Sequence, residues 1–345
     1  MGKQVLVLQD NGLSLGVQNG LLAIYKRGRI IETVRPEEVG QVVLKDPVGL
    51  ERSAISLLMR EGIDTVLVSY HGRYECRLEN ARSLGPALRD VQTRYLWEPG
   101  AALALARQFI MAKVQNCRVM LRRTLKNNPD ETVKSAVATM RRTLLRLDHA
   151  RDLDELRGFE GAAAAAYFGC FPRLLANPDF VFHDRSRRPP RDPVNALLSF
   201  CYMSLLTRVH TAVCLANLDP TRGALHEPQK GRPSLALDLL EEYRPLVDRE
   251  ILTLINRKGI ALHDFALQDD WTELDYAHGE LPVRLAPSGQ KKAHHLLGQL
   301  FACRHAWHDG KDYSLLDLLQ AQAYLLARHF EGRGQPPYQP FLLER

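Results

Sequence analysis

The first ~80 residues hold short β-prone runs, Gln4–Leu8, Ser14–Gln18, Leu21–Lys26, Arg29–Thr33, Gln41–Leu44 and Thr65–Ser69, punctuated by Gly12, Gly20, Gly28 and Pro36. Arg52–Glu61 is spaced as one short helix. Short strands at these intervals predict a compact sandwich or barrel-like domain. After Glu79 the pattern changes. Asn80–Glu98 reads as a connector, and helical periodicity dominates from Gly100: Ala102–Lys126, Asp130–Leu147, Leu153–Phe168, Val194–Ala216, Leu235–Lys258 and Gly289–Phe330, the last broken near His308–Lys311. The expected fold is α+β, with a small N-terminal β-sandwich-like domain (1–80), a connector (81–99) and a larger all-α domain (100–345). No internal repeat is visible. The loops Asn177–Arg191 and Asn217–Pro233 are long, as functional loops often are.

On the helix beginning at Leu235, Asp238, Glu241 and Glu242 stand at i, i+3 and i+4 and share a face. Leu239, Leu240, Tyr243, Val247 and Ile251 form the core-facing stripe. Ser234, at the end of a Gly-Arg-Pro-Ser turn, is placed to cap the helix. Ahead of that turn His226 follows a Gly- and Pro-rich approach, LDPTRGALHEP. One imidazole with several carboxylates is a hard-metal ligand set of the kind phosphodiester chemistry uses. A solvated face is the simpler reading of the acids taken alone. Against it, like charges at these spacings repel unless a positive group lies nearby. Pro245 removes the backbone bond to the Glu241 carbonyl and predicts a kink.

A second acid, Glu160, lies within Gly158-Phe-Glu-Gly161 inside a helical pattern. Each interior glycine costs roughly 1 kcal/mol relative to alanine, so close approach of another element is one explanation, and an exposed Glu160 on a tightly packed helix is the other. Arg185, Arg187, Arg188 and Arg191 crowd one proline-stiffened loop, suited to phosphate oxygens or simply solvated. Arg118, Arg122, Arg123 and Lys126, and Arg141, Arg142 and Arg146, add further basic segments; together they favour a polyanion groove. The dipeptides His183-Asp184, His263-Asp264 and His308-Asp309 lack the additional spaced ligands of an HD-type phosphohydrolase. P-loop, dinucleotide-binding and nucleophile-elbow motifs are absent.

With 345 residues, 45% hydrophobic and 25% charged, the chain is long enough for two domains. Its net charge of +6 is compatible with nucleic acid without arguing for it. The cysteines (Cys76, Cys117, Cys170, Cys201, Cys214, Cys303) form no C-x-x-C pair, so zinc and disulfide frameworks are not expected. No apolar run approaches the roughly 20 residues of a membrane span, and the N-terminus carries no signal-peptide or myristoylation pattern. The expectation is a cytoplasmic protein with reduced thiols and no membrane partner.

In chain order RGFEGAAAAAYF, PPRDPVNALLSFCYMSLL, LANLDPTRGALH and GRPSLALDLLEEYRPLVDR resemble the universal CRISPR-associated adaptation integrase, a metal-dependent DNA endonuclease. The motifs run from about Arg157 to Arg249, and the β-then-α order extends the likeness over nearly the whole chain. The resemblance implies a dimerising N-terminal β domain and a helical catalytic domain. It implies a homodimer, two of which are bridged by a small ferredoxin-like companion protein, acting on double-stranded DNA (prespacer and CRISPR repeat). It implies Mg²⁺ or Mn²⁺ held by Glu160, His226 and Glu241, with Asp238 a second functional acid; which of Asp238 and Glu241 ligates stays open. A DNA 3′-hydroxyl attacks the phosphodiester in integration, and water does so in cleavage. Arg244, Arg185, Arg187, Arg188 and Arg191 become candidates for phosphate contacts. Tyr202 is a candidate for stacking on a DNA end, or a core residue, and Glu242 drops out of the ligand set as a supporting or surface acid. Two other functions remain compatible: a metal-dependent repair nuclease without integration, and a non-catalytic DNA-binding scaffold.

Overall fold

The computed structural model describes residues 4–69, 74–78, 87–186, 189–267, 283–307, 309–332 and 338–343. Its N-terminal part holds β1 (Gln4–Leu8), β2 (Leu13–Gln18), β3 (Leu21–Lys26), β4 (Arg29–Val34), β5 (Val39–Lys45), β6 (Gly49–Leu50), α1 (Arg52–Arg60), β7 (Asp64–Val68) and β8 (Tyr74–Leu78). They form two four-stranded sheets, in the orders β1-β5-β7-β8 and β4-β3-β2-β6. β5 and β7 pair in parallel, which demands a crossover, and α1 lies in that connection. Leu15, Leu22, Val42 and Leu58 are among the buried residues of this part's own core.

The larger part is mostly helical. It comprises α2 (Ala87–Trp97), α3 (Pro99–Asn127), α4 (Glu131–Leu147), α5 (Leu153–Phe168), α6 (Phe171–Leu174), α7 (Pro193–Leu215), α8 (Ser234–Leu240), α9 (Arg244–Asn256), β9 (Phe265–Leu267), β10 (Val283–Leu285), α10 (Pro287–Ala302), β11 (Arg304–Ala306), β12 (Asp312–Ser314) and α11 (Leu315–Phe330). Aspartates cap three of these helices: Asp130 accepts from Val133 N, Asp152 from Glu155 N and Asp192 from Asn195 N.

Several expectations need correction. The segment 81–99, expected to be a connector, contains α2, which packs on α3 and α11. The larger part is helical as expected, with two small antiparallel pairs, β9/β10 and β11/β12, set between its helices. The second pair supplies the break expected near His308–Lys311, although His308 itself lies outside the described residues. Ser234 is the first residue of α8 rather than its cap, and its hydroxyl donates to Glu227 O at 2.9 Å.

By length and composition α7 could cross a membrane, contrary to the sequence expectation. Here it is the central strut of the helical core. It lies against α8, α9, α10 and α11, with Leu197, Leu198, Cys201, Leu205 and Val209 fully buried. Its C-terminal end meets the N-terminal sheet: Arg77 donates to Cys214 O at 2.9 Å, and Leu215 packs against Val43, Val66 and Val68.

A tail, Tyr338–Leu343, runs back over the core. Phe341 stacks on Tyr243 at 5.1 Å, Phe341 N donates to Glu242 Oε2 at 2.7 Å, and Leu343 N donates to Asn116 Oδ1 at 2.8 Å. Phe341→Ala should destabilise the protein by about 3–5 kcal/mol, measured as a shift of the urea midpoint at unchanged slope.

Candidate metal centre

The sequence element that shapes this region is Pro245. It has no N–H to give the Glu241 carbonyl, so the helix expected over Leu235–Lys258 splits into α8 and α9. Between them the chain tightens into i→i−3 bonds: Glu241 N to Asp238 O at 3.2 Å, and Tyr243 N to Leu240 O at 3.0 Å. The three acids that an unbroken helix would hold on one face are all buried instead, and each meets a different environment.

Asp238 is fully buried and turned toward the His226 loop. Its Oδ2 accepts from Ala224 N at 2.6 Å and Leu225 N at 3.0 Å; its Oδ1 accepts from His226 N at 2.9 Å and from His226 Nδ1 at 2.6 Å. Four donors leave it no room to bind anything else. They also hold the imidazole by its Nδ1, with Nε2 not engaged by Asp238, as a carboxylate behind a ligating histidine does. Gly223 makes this approach possible, because a Cβ there would lie 2.7 Å from Asp238 Oδ2 and 2.9 Å from His226 O. Two more elements hold the loop. From α5, Arg157 donates to Leu225 O at 2.8 Å, and from α2, Gln92 donates to Asp219 O at 2.9 Å and Arg222 O at 3.1 Å. The supposed connector thus helps to position His226.

Glu241 faces the other way, into a cleft whose walls include Lys113 of α3, Glu160 of α5, Tyr202 of α7, and Arg244 and Asp248 of α9. Arg244 Nε donates to Glu241 Oε1 at 2.9 Å. Lys113 Nζ lies 2.6 Å from Glu241 Oε2 and also donates to Glu160 Oε1. Two carboxylates from distant helices therefore converge on one cation. Burial alone would raise the Glu241 pKa, but the Arg244 and Lys113 charges outweigh it and hold the group at about 2. Burial likewise works against the Lys113 ammonium, and Glu241 and Glu160 overcome it, so the lysine stays charged.

Glu242 enters neither group. It accepts from Tyr338 Oη and Phe341 N, and burial lifts its pKa to about 8. It is thus no surface acid; it anchors the tail.

Other candidates behave differently from expectation. A Cβ at Gly158 or Gly161 would meet nothing within 4 Å, so no element packs against them; they leave the flank of Glu160 open. Tyr202 is buried, its hydroxyl bonded to Asp248 and its ring beneath the Arg244 guanidinium at 4.5 Å, so it is not free to stack on a base. Arg185 turns inward, donating to Ser186 O and Asn195 Oδ1. Arg191 is exposed, and Arg187 and Arg188 lie outside the described residues. Lys113 escaped the sequence reading. A single lysine among Ala, Val and Gln on a long helix carries no pattern that distinguishes it from a surface cation.

Among the described residues no three His, Cys, Asp or Glu side chains converge closely enough to hold a metal as they stand. The donor set nonetheless suits a divalent cation. Glu160 and Glu241 already share a positive group, and His226 bears on Glu241 electrostatically with Nε2 uncommitted to Asp238.

The family model described as "CRISPR associated protein Cas1" matches residues 6–285. A protein of Thermus thermophilus called "CRISPR-associated endonuclease Cas1 3" is 34% identical over 99% of this chain and 97% of its own. Among solved structures, "Casposase bound to integration product" superposes with a TM-score of 0.81 at 21% identity, covering 96% of both chains. "Partial Cas6-RT-Cas1--Cas2 complex" gives 0.77 at 23% over 100% of both. At those identities the two structures show a shared fold.

In the cleft wall Asp248 accepts from the Tyr167 hydroxyl at 2.9 Å and from that of Tyr202, yet burial still pushes its pKa up to about 6. Below about pH 4 folded and unfolded chains both hold this proton. As pH rises toward 6 the unfolded chain releases it first, so stability falls across that window, by up to about 3 kcal/mol. Asp248→Asn should flatten that part of the curve, followed by urea denaturation between about pH 4 and pH 6.5.

Proposed function

The chain belongs to the CRISPR-associated Cas1 family, and on that premise we propose that it is a metal-dependent DNA endonuclease and integrase of CRISPR adaptation. The reaction joins short double-stranded prespacers to the CRISPR repeat by attack of a DNA 3′-hydroxyl on a phosphodiester. The observation that carries this reading is the convergence of Glu160 and Glu241 on one cation, beside an imidazole fixed by Asp238. The relative's name, an endonuclease, points the same way.

In this reading Glu160, Glu241 and His226 Nε2 hold Mg²⁺ or Mn²⁺, and Asp238 orients the histidine without ligating. Bound there, the ion would draw charge from the scissile phosphodiester and its transition state. Arg244 keeps Glu241 ionised and pointed into the cleft. The bare surface around Gly158 and Gly161 gives a DNA backbone room beside Glu160. A 3′-hydroxyl or a water attacks according to which is delivered, so the same centre serves integration and cleavage. The working assembly would be a homodimer, joined to the small ferredoxin-like companion; the neighbour of the same fold called "Partial Cas6-RT-Cas1--Cas2 complex" supports such a partner.

The test supplies pre-cut DNA with a free 3′-hydroxyl, a CRISPR-repeat plasmid, the companion protein and Mn²⁺. Covalently joined product is expected. Glu160→Gln, Glu241→Gln and His226→Ala should each lower its yield by on the order of 100-fold or more, with DNA affinity nearly unchanged. Cleavage without joining would reduce the function to a nuclease, and full activity in all three variants would overturn the site.

A further inference from the structure

We propose that Lys113 is the resident counter-ion of the metal centre: in the metal-free protein its ammonium holds the place between Glu160 and Glu241 that the divalent ion takes, and the two exchange. This rests on the reading of Glu160 and Glu241 as metal ligands.

Two observations carry it. The ammonium contacts both carboxylates at once. Lys113 and Glu241 side chains are only 12% and 6% exposed, so water does little to screen the pair. Without a cation two carboxylates sharing this cleft would repel. Lys113 thus holds the donor pair aimed at a common point before any metal arrives.

The charges also show why it must leave. Glu160 and Glu241 are paired with Lys113 and Arg244, and Asp248 lines the same cleft. A divalent ion added to that set would leave excess positive charge in a buried cleft. Arg244 is held in place by its bond to Glu241 Oε1 and its seat over the Tyr202 ring. Lys113 has a flexible four-carbon stem and can swing without moving α3. Its contact to Glu241 Oε2 is an ion pair of 2.6 Å.

The experiment measures Mn²⁺ binding to the intact protein from the spectrum of the free ion, with wild type, Lys113→Met, Lys113→Arg and Glu160→Gln. Lys113→Met should bind Mn²⁺ roughly tenfold tighter or more, because the competing charge is gone. Its melting temperature should fall below wild type without metal and rejoin it at saturating Mn²⁺. Lys113→Arg, which keeps the charge, should bind like wild type or more weakly. A Lys113→Met protein that binds Mn²⁺ no more tightly, with a melting deficit that metal does not close, overturns the exchange. Mn²⁺ binding untouched by Glu160→Gln overturns the site itself, and the exchange with it. Should Lys113→Met not fold, acetylation of Lys113 in wild type, read by mass spectrometry, decides: Mn²⁺ should expose the amine, and labelling unchanged by Mn²⁺ refutes the proposal.

Discussion

One missing hydrogen bond organises the helical half of this protein. Because Pro245 cannot donate to Glu241, α8 and α9 are separate helices joined by a tight turn. Three neighbouring residues leave that turn toward three different partners. Glu241 enters the cleft beside Lys113, Glu242 turns to the tail, and Tyr243 stacks under Phe341. An unbroken helix would place Glu241 and Glu242 within 100° of each other around its axis, and one would lose its partners.

Burial without compensation would be prohibitive for so many acids, and each is compensated differently. Asp238 is satisfied by four N–H donors and stays an acceptor. Glu241 is held ionised by two cations. Glu242 escapes charge altogether by keeping its proton through most of the neutral range. Asp248 lies between, with two tyrosine hydroxyls that soften its burial without cancelling it. One short stretch of chain thus contains carboxyl groups in three electrostatic regimes, which is how acids so close in sequence acquire separate tasks.

Much of this was legible in the sequence. Most of the N-terminal strands and the helices α3, α4, α5 and α7 follow from spacing alone, as does the break at Pro245. The four motifs were enough to name the family. What escaped depends on partners distant in sequence. Whether Asp238 or Glu241 faces the cleft is decided by which donors the loop at Gly223 delivers. Arg185 reads as a phosphate contact until Asn195, ten residues on, turns out to accept from it. Lys113 acquires meaning only through Glu160, 47 residues later. Gly158 and Gly161 misled in the opposite sense: their bareness opens a surface instead of admitting a neighbour. α2 was missed because its polar and apolar residues alternate too weakly to stand out from the segment around it.

The tail over Glu242 has a consequence for the order in which the molecule is made. Glu242 emerges 99 residues before Phe341, whose N–H it accepts, and Asn116 emerges 227 residues before Leu343. While the chain is growing, both groups must remain wet, and the turn bearing Glu241 lacks its backing. Contacts of such long range form late in any case, because the loops they close are entropically expensive. The turn that bears Glu241 therefore gains its backing last, after the helices around it have been made.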